Sequence, residues 1–164
     1  MKRLLPQKEK GFTLVELLVV ISILAILAVI SLAVFSGVQK NARDARRREE
    51  IDAISKALET NKVVNVSTYG ALAVTMFQAG AVPTDSGNGS ATYSVAWSTS
   101  AGASAPATPT TWANTSANPT WAGSPTGNGT VAATTNPASG ATAWTVCALL
   151  EAGNPAIYCK SSQQ

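Results

Sequence analysis

The sequence predicts an α+β fold: one long N-terminal α-helix, its first half transmembrane and its second half amphipathic, packed on a small antiparallel C-terminal sheet. Three observations predict it. Residues 12–38 form an apolar run with one charge, Glu16, and no proline. The chain then turns polar without any helix breaker, as KNARDARRREEIDAISKALE over residues 40–59. Strand-like segments gather after residue 90 and end in two runs, 143–151 and 156–160, separated by the turn sequence AGNP.

Residues 1–11 are short and basic, with Pro6 inside, and are read as a leader outside the fold. They hold four basic side chains and Glu9, which accounts for the whole net charge of +3. The remainder is neutral, so the charge is a local cluster and not a phosphate-binding surface, and no direct nucleic-acid binding is expected. Histidine is absent, which removes Ser-His-Asp and Cys-His catalysis and His-ligated metals. No catalytic, cofactor or metal site is expected, and the chain is not read as an enzyme.

Residues 12–38 span about 40 Å as a helix, more than the roughly 30 Å hydrocarbon core requires. The polar exceptions Thr13, Ser22, Ser31 and Ser36 can bond back to their own helix. An ordinary secretory signal would have an apolar region of about 7–15 residues and a small-residue cut site. Leu17–Ile30 fits that length and Ser36-Gly37 that site, but the glutamate at the head and the apolar run to Val38 speak against it.

Residues 39–62 continue the helix. Ala, Arg, Glu and Lys are good helix formers, and Ile51, Ile54 and Leu58 make an apolar stripe at i, i+3, i+7. With no break between the two runs, one helix of about 50 residues follows, with Gly37 as its weak point. Arg43, Arg46, Arg47 and Arg48 interleave with Asp44, Glu49, Glu50 and Asp52, which reads as a solvated or intersubunit salt-bridged face.

Residues 63–164 carry three charged side chains: Asp85, Glu151 and Lys160. The section 84–140 is built of Ala, Thr, Ser, Gly, Asn and Pro, which buries little apolar area per residue. A thin sheet with long loops is expected. In ATYSVAWS, Tyr93, Val95 and Trp97 alternate with Ser94, Ala96 and Ser98, a half-buried strand. Trp97 and Trp144 are assigned to the core; Trp112 and Trp121 stay open. A hairpin centred on Gly153 sets Cys147 opposite Cys159, within reach of a disulfide in an oxidising compartment. The four Asn-x-Ser/Thr sites, at Asn65, Asn88, Asn114 and Asn128, are near chance in such a composition.

Lys10-Gly11-Phe12-Thr13-Leu14-Val15-Glu16, followed by an apolar helix, resembles the type IV prepilin signature, and the basic leader resembles the type IVa kind. The resemblance implies a pilin-like fold, cleavage by a prepilin peptidase after Gly11, and methylation of Phe12. It also implies assembly into a helical homo-oligomer in which Glu16 meets the N-terminal amine of a neighbouring subunit. The expected partners are the membrane before assembly, an inner-membrane platform with assembly and retraction ATPases, and a host-cell or surface target. The expected location is the inner membrane as a single-pass precursor, then an extracellular pilus serving adhesion, twitching motility or DNA uptake. Two rivals are a type II secretion pseudopilin and a tethered surface protein that never polymerises. The major pseudopilins bind calcium through clustered acids, and Asp85 and Glu151 are the only acids after Glu59. Unlike many pilins, this chain has Ala33 and no proline between Pro6 and Pro83.

Overall fold

The computed structural model describes residues 11–63, 65–85, 93–112, 119–123, 125–131, 137, 140–152 and 157–163. The chain divides into two compact units, Met1–Gln39 and Lys40–Gln164. The α+β architecture predicted from sequence is present.

Helix α1 runs Leu14–Thr60, 47 residues, unbroken through Gly37. In the first unit its large apolar side chains are exposed on every side, from Leu14 to Val38. Ser22 Oγ donates to the Val19 carbonyl at 2.7 Å and Ser31 Oγ to that of Leu27 at 2.8 Å. These hydroxyls are therefore satisfied by the helix itself, as apolar surroundings demand.

The second unit begins inside α1. Ile51, Ile54 and Leu58, the predicted stripe, are fully buried. The helix ends where Thr60 Oγ1 caps the Lys56 carbonyl at 2.8 Å and the Asn61 side chain donates to the Ala71 carbonyl at 2.9 Å. Strands β1 (Lys62–Val63) and β2 (Thr68–Tyr69) form a short antiparallel ribbon. A 3-10 turn follows at Val74–Met76.

The main sheet has four antiparallel strands. These are β3 (Ser94–Ser98), β6 (Gly127–Thr130), β7 (Ala143–Leu149) and β8 (Ile157–Ser161), in the order β6-β3-β7-β8. A second ribbon pairs β4 (Pro109–Thr111) with β5 (Thr120–Trp121). Val95 opposes Val146 and Trp97 opposes Trp144, which places these residues on one face with Tyr93 and Ala148. That face packs with the α1 stripe, Tyr69 and Leu72. Tyr69 meets Trp144 edge-on, with ring centroids 6.0 Å apart. Trp97 packs against this core partly buried, and Trp144 is completely buried.

One expectation is corrected. Strand β3 is not half-buried: Ser94 and Ala96, on its opposite face, are buried as well. The Thr- and Pro-rich stretch folds over that face. Trp121 and Trp112 cover Ala96 and Cys147, and Thr145 Oγ1 donates to the Pro106 carbonyl at 2.5 Å. Two of the tryptophans left open by the sequence thus close a second, smaller apolar layer.

Edge strand β6 is glycine-bearing for a reason of space. A Cβ on Gly127 would lie 2.5 Å from the Trp97 ring, so the indole lies directly against this backbone. In the C-terminal hairpin Cys147 pairs with Cys159 and the two form a disulfide, Cα atoms 4.1 Å apart, in the register predicted. Closing this loop stabilises by about 3 kcal/mol in the chain-entropy model. The turn around Gly153, the leader before Gly11, the sequons at Asn88 and Asn114, and much of 86–140 lie outside the described residues.

Candidate functional site

Two constellations carry chemistry, one in each unit. The first is the start of α1. Gly11, Phe12 and Thr13 precede the helix and are exposed, Phe12 by 86%. Thr13 and Glu16 form a reciprocal capping box. The Thr13 N–H donates to Glu16 Oε2 at 2.8 Å and its hydroxyl to the same oxygen at 2.9 Å. The Glu16 N–H donates back to Thr13 Oγ1 at 3.2 Å. Thr-x-x-Glu is the spacing such a box requires, because residues three apart meet across the first turn. A carboxylate at a helix N-terminus also faces the positive end of the dipole. Glu16 was read from sequence as the one charge in an apolar run and, through the resemblance, as the partner of a neighbouring subunit's amine; its local role as a cap went unnoticed, although Thr13 at i−3 is the signal for it.

The capping atoms all lie at residue 13 or later. A cut between Gly11 and Phe12 therefore leaves the box intact and places a new amine one residue before it.

The second constellation is an ion-pair cluster in the head. Arg47 Nη1 donates to Asp44 Oδ1 at 2.9 Å, and its Nε and Nη2 grip Asp85 at 2.8 and 3.3 Å. Nη2 also reaches Glu151 Oε1 at 2.8 Å. Arg43 takes Glu151 from the other side, with Nε at 2.9 Å and Nη2 at 2.5 Å. Asp44 accepts the backbone N–H groups of Glu151 and Ala152, each at 2.8 Å. The side chains of Arg47 and Asp44 are only 3% exposed.

The charges hold one another ionised. Hydrogen bonding to Arg43, with Arg47 in support, overcomes burial and lowers the Glu151 carboxyl to about 2. Burial pushes Asp44 up, but the N–H groups of Glu151 and Ala152 together with Arg47 outweigh it, and its pKa falls. Burial opposes the charged form of Arg47 too, and the bonds to Asp85 and Glu151 more than offset this. Nearby, burial and hydrogen bonding to Glu50 raise the Tyr93 hydroxyl well above its usual range.

This corrects the reading of the arginine cluster. Arg47 and Asp44 are interior, and Arg43 and Arg47 are paired within the chain. Arg46, its side chain 69% exposed and 2.8 Å from Glu50, and the exposed Arg48 keep the expected solvated character. Arg48 lies 6.0 Å from the Tyr158 ring. The physical signal was available: Asp44, Arg47, Ile51, Ile54 and Leu58 lie on one continuous i, i+3, i+7 stripe, so the buried face begins at Asp44. The head's scarce acids, Asp85 and Glu151, are its partners.

Residues 6–32 match the prokaryotic N-terminal methylation motif. The chain carries this motif. It is the class III signal peptide of type IV pilins, and it supports a type IV pilin-like or pseudopilin precursor. The match covers the leader, the Gly11–Phe12 bond, the capping box and the apolar helix to Leu32. Such a methylation motif implies processing by a prepilin peptidase and handling by pilus assembly machinery. With α1, which is long and apolar enough to cross a membrane, it supports a membrane-anchored precursor. No curated protein and no solved structure matches the chain.

Proposed function

We propose that this chain is a structural subunit of a type IV pilus, cut between Gly11 and Phe12, methylated at Phe12, and polymerised through its N-terminal helix. The observation that carries the proposal is the first half of α1: a helix apolar all round, its large side chains exposed among the described residues, headed by a methylation motif. A helix with no polar side belongs in lipid or among other helices. In the membrane, lipid covers it. In a filament, copies of itself do so, and hydrophobic burial holds the fibre. The role is structural and involves no catalysis.

Glu16 gives the assembly its register. Insertion scales put an ionised acid in lipid at about 3 kcal/mol. The capping box relieves part of this in the single subunit, with both Thr13 donors converging on Oε2. The remaining oxygen, Oε1, takes the Phe12 amine of a second copy when subunits stack, and the pairing fixes their offset as a buried polar residue fixes coiled-coil register. The head, nearly devoid of net charge after residue 63, is the surface such a fibre presents to medium, host cell or substrate.

The test is direct. Mass spectrometry of the mature protein should find a methylated Phe12 at the N-terminus, and electron microscopy should find surface fibres made of this chain. Glu16→Ala should abolish the fibres while the cut still occurs. A mature start near Gly37, or normal fibres from the alanine variant, would refute the proposal. Fibres confined beneath the outer surface would point to the pseudopilin reading instead.

A further inference from the structure

The head holds a groove of about 850 Å³ that neither the capping box nor the ion-pair cluster uses. Its floor is the side of α1 that carries Ala53, Ala57 and Thr60, spaced i, i+4, i+7 and all small, with Ala57 itself buried at the edge of the core. Its wall is the segment after the 3-10 turn, where Phe77, Val82 and Pro83 are partly buried. Phe77 and Val82 pack against the core and show their other side to the groove. The segment from Ala71 to Asp85, which contains the wall, is held at both ends: Asp85 is bound by Arg47, and the Ala71 carbonyl by Asn61. The groove is therefore preformed and does not wait on a ligand to open it.

We propose that this groove receives the apolar helix, residues 12–38, of a second copy of the chain. The inference rests on the filament reading above and names the surface of the head that the helix meets. Three features select this occupant. Charge comes first: floor and wall are uncharged, and the rim cations and anion are Arg46, Glu50 and Lys56, of which Arg46 and Glu50 neutralise each other at 2.8 Å. The occupant must offer an uncharged apolar surface, and residues 17–38 offer one whose large apolar side chains are exposed among the described residues. Shape comes second. Small side chains along one helix let a second helix approach to about 8–10 Å, and the flanking wall makes the trough that cradles it. Size comes third: a helix about 10 Å across fills about 400 Å³ per 5.4 Å turn, so the groove takes about two turns. An acidic or basic peptide would find no partner on the floor.

The experiment uses the full chain in cells that assemble it. A benzophenone amino acid is placed at Gln78, exposed beside the groove, and in a control at Val66, exposed and outside it. Irradiation of the Gln78 variant should give a dimer joined to one tryptic peptide, the uninterrupted stretch from Phe12 to Lys40 of a second copy. The Val66 variant should not give that peptide. Independently, Ala53→Trp fills the floor from an exposed position, so the head should unfold at an unchanged temperature while fibres are lost. Cross-links from Gln78 to another segment of a second copy, to phospholipid or to a different protein overturn the inference, as do normal fibres from Ala53→Trp. If those results come with methylated Phe12 and wild-type fibres, the pilus reading stands and only the groove assignment falls. If the unmodified chain makes no fibres, both fall.

Discussion

The two halves of α1 are one helix with opposite requirements. Before Gln39, large apolar side chains point in every direction and stay exposed; after Lys40, they narrow to one stripe and every member is buried. Helix propensity does not separate them, since both halves are continuous helix. What separates them is the source of the covering surface. The second half finds it in the chain's own sheet, and the first half must find it in lipid or in other copies. Substitutions that are equivalent in chemistry should therefore have opposite readouts in the two halves, and the following tests bear on that contrast.

The largest effect is expected at Arg47, where the second half departs most from a simple apolar stripe. Arg47→Met takes the guanidinium away from Asp44, Asp85 and Glu151 in a buried site. Removing one member of a buried ion cluster costs about 3–5 kcal/mol. Urea denaturation of the full chain in detergent should show a loss of that size in the head. A change below about 1 kcal/mol would mean that water reaches the cluster and that the second half is held by its apolar stripe alone.

Next comes a matched pair. Ile54→Ala removes a fully buried side chain between α1 and the sheet and should cost about 2–5 kcal/mol. Ile26→Ala removes the same atoms from a side chain 63% exposed and should leave head unfolding unchanged. Its effect should appear in fibre yield. Equal losses of head stability from both variants would erase the distinction between the halves.

Much of this division was legible in the sequence because it depends on pattern. An uncharged run followed by a periodic one announces a change of environment, and turn residues between two cysteine-bearing strands announce a hairpin register. Both are local signals. The ion-pair cluster was not legible in the same way, because Arg47 meets Asp85 and Glu151 across 38 and 104 residues. Nothing in the spacing of Arg43 to Arg48 says which guanidinium turns inward. The stripe does say so, once it is extended upward from Ile51 to Arg47 and Asp44; a charged side chain on a buried face is easily read as the point where the face ends. The second face of β3 was missed for a related reason. Ala, Thr and Pro are poor signals of burial, and two tryptophans drew them over Ala96 and Cys147.

Acid should sharpen the contrast by loosening only the second half. Glu151, lowered to about 2 from an ordinary 4.5, and Asp44, lowered from 3.8, both bind protons more weakly when folded. Their contribution is complete above the unfolded values and is lost as pH falls through the folded ones. Thermal midpoints of the head should therefore decline between about pH 5 and pH 2. Glu151→Gln should flatten that decline while lowering the midpoint at neutral pH, because glutamine keeps the shape and loses the charge. A decline of the same slope in the glutamine variant would assign the acid sensitivity elsewhere.

The smallest effect is expected at Arg46, one helical position before Arg47 and chemically identical to it. Its side chain is 69% exposed and its contact is the i, i+4 pair with Glu50 at 2.8 Å. Such a pair contributes little, because the Arg46 guanidinium keeps most of its hydration and the long side chain loses freedom when it pairs. Arg46→Ala should thus shift the urea midpoint barely beyond error, and the shift should vanish in high salt, which screens exposed charges and leaves buried ones alone. Glu50 also accepts the Tyr93 hydroxyl, so a somewhat larger effect would show that Arg46 orients Glu50 for that bond. Arg46→Gln, which can still hydrogen-bond to Glu50, would then recover the difference. Two adjacent arginines, one stabilising strongly and one barely at all, would show that burial, and not charge, decides what this half of the helix holds.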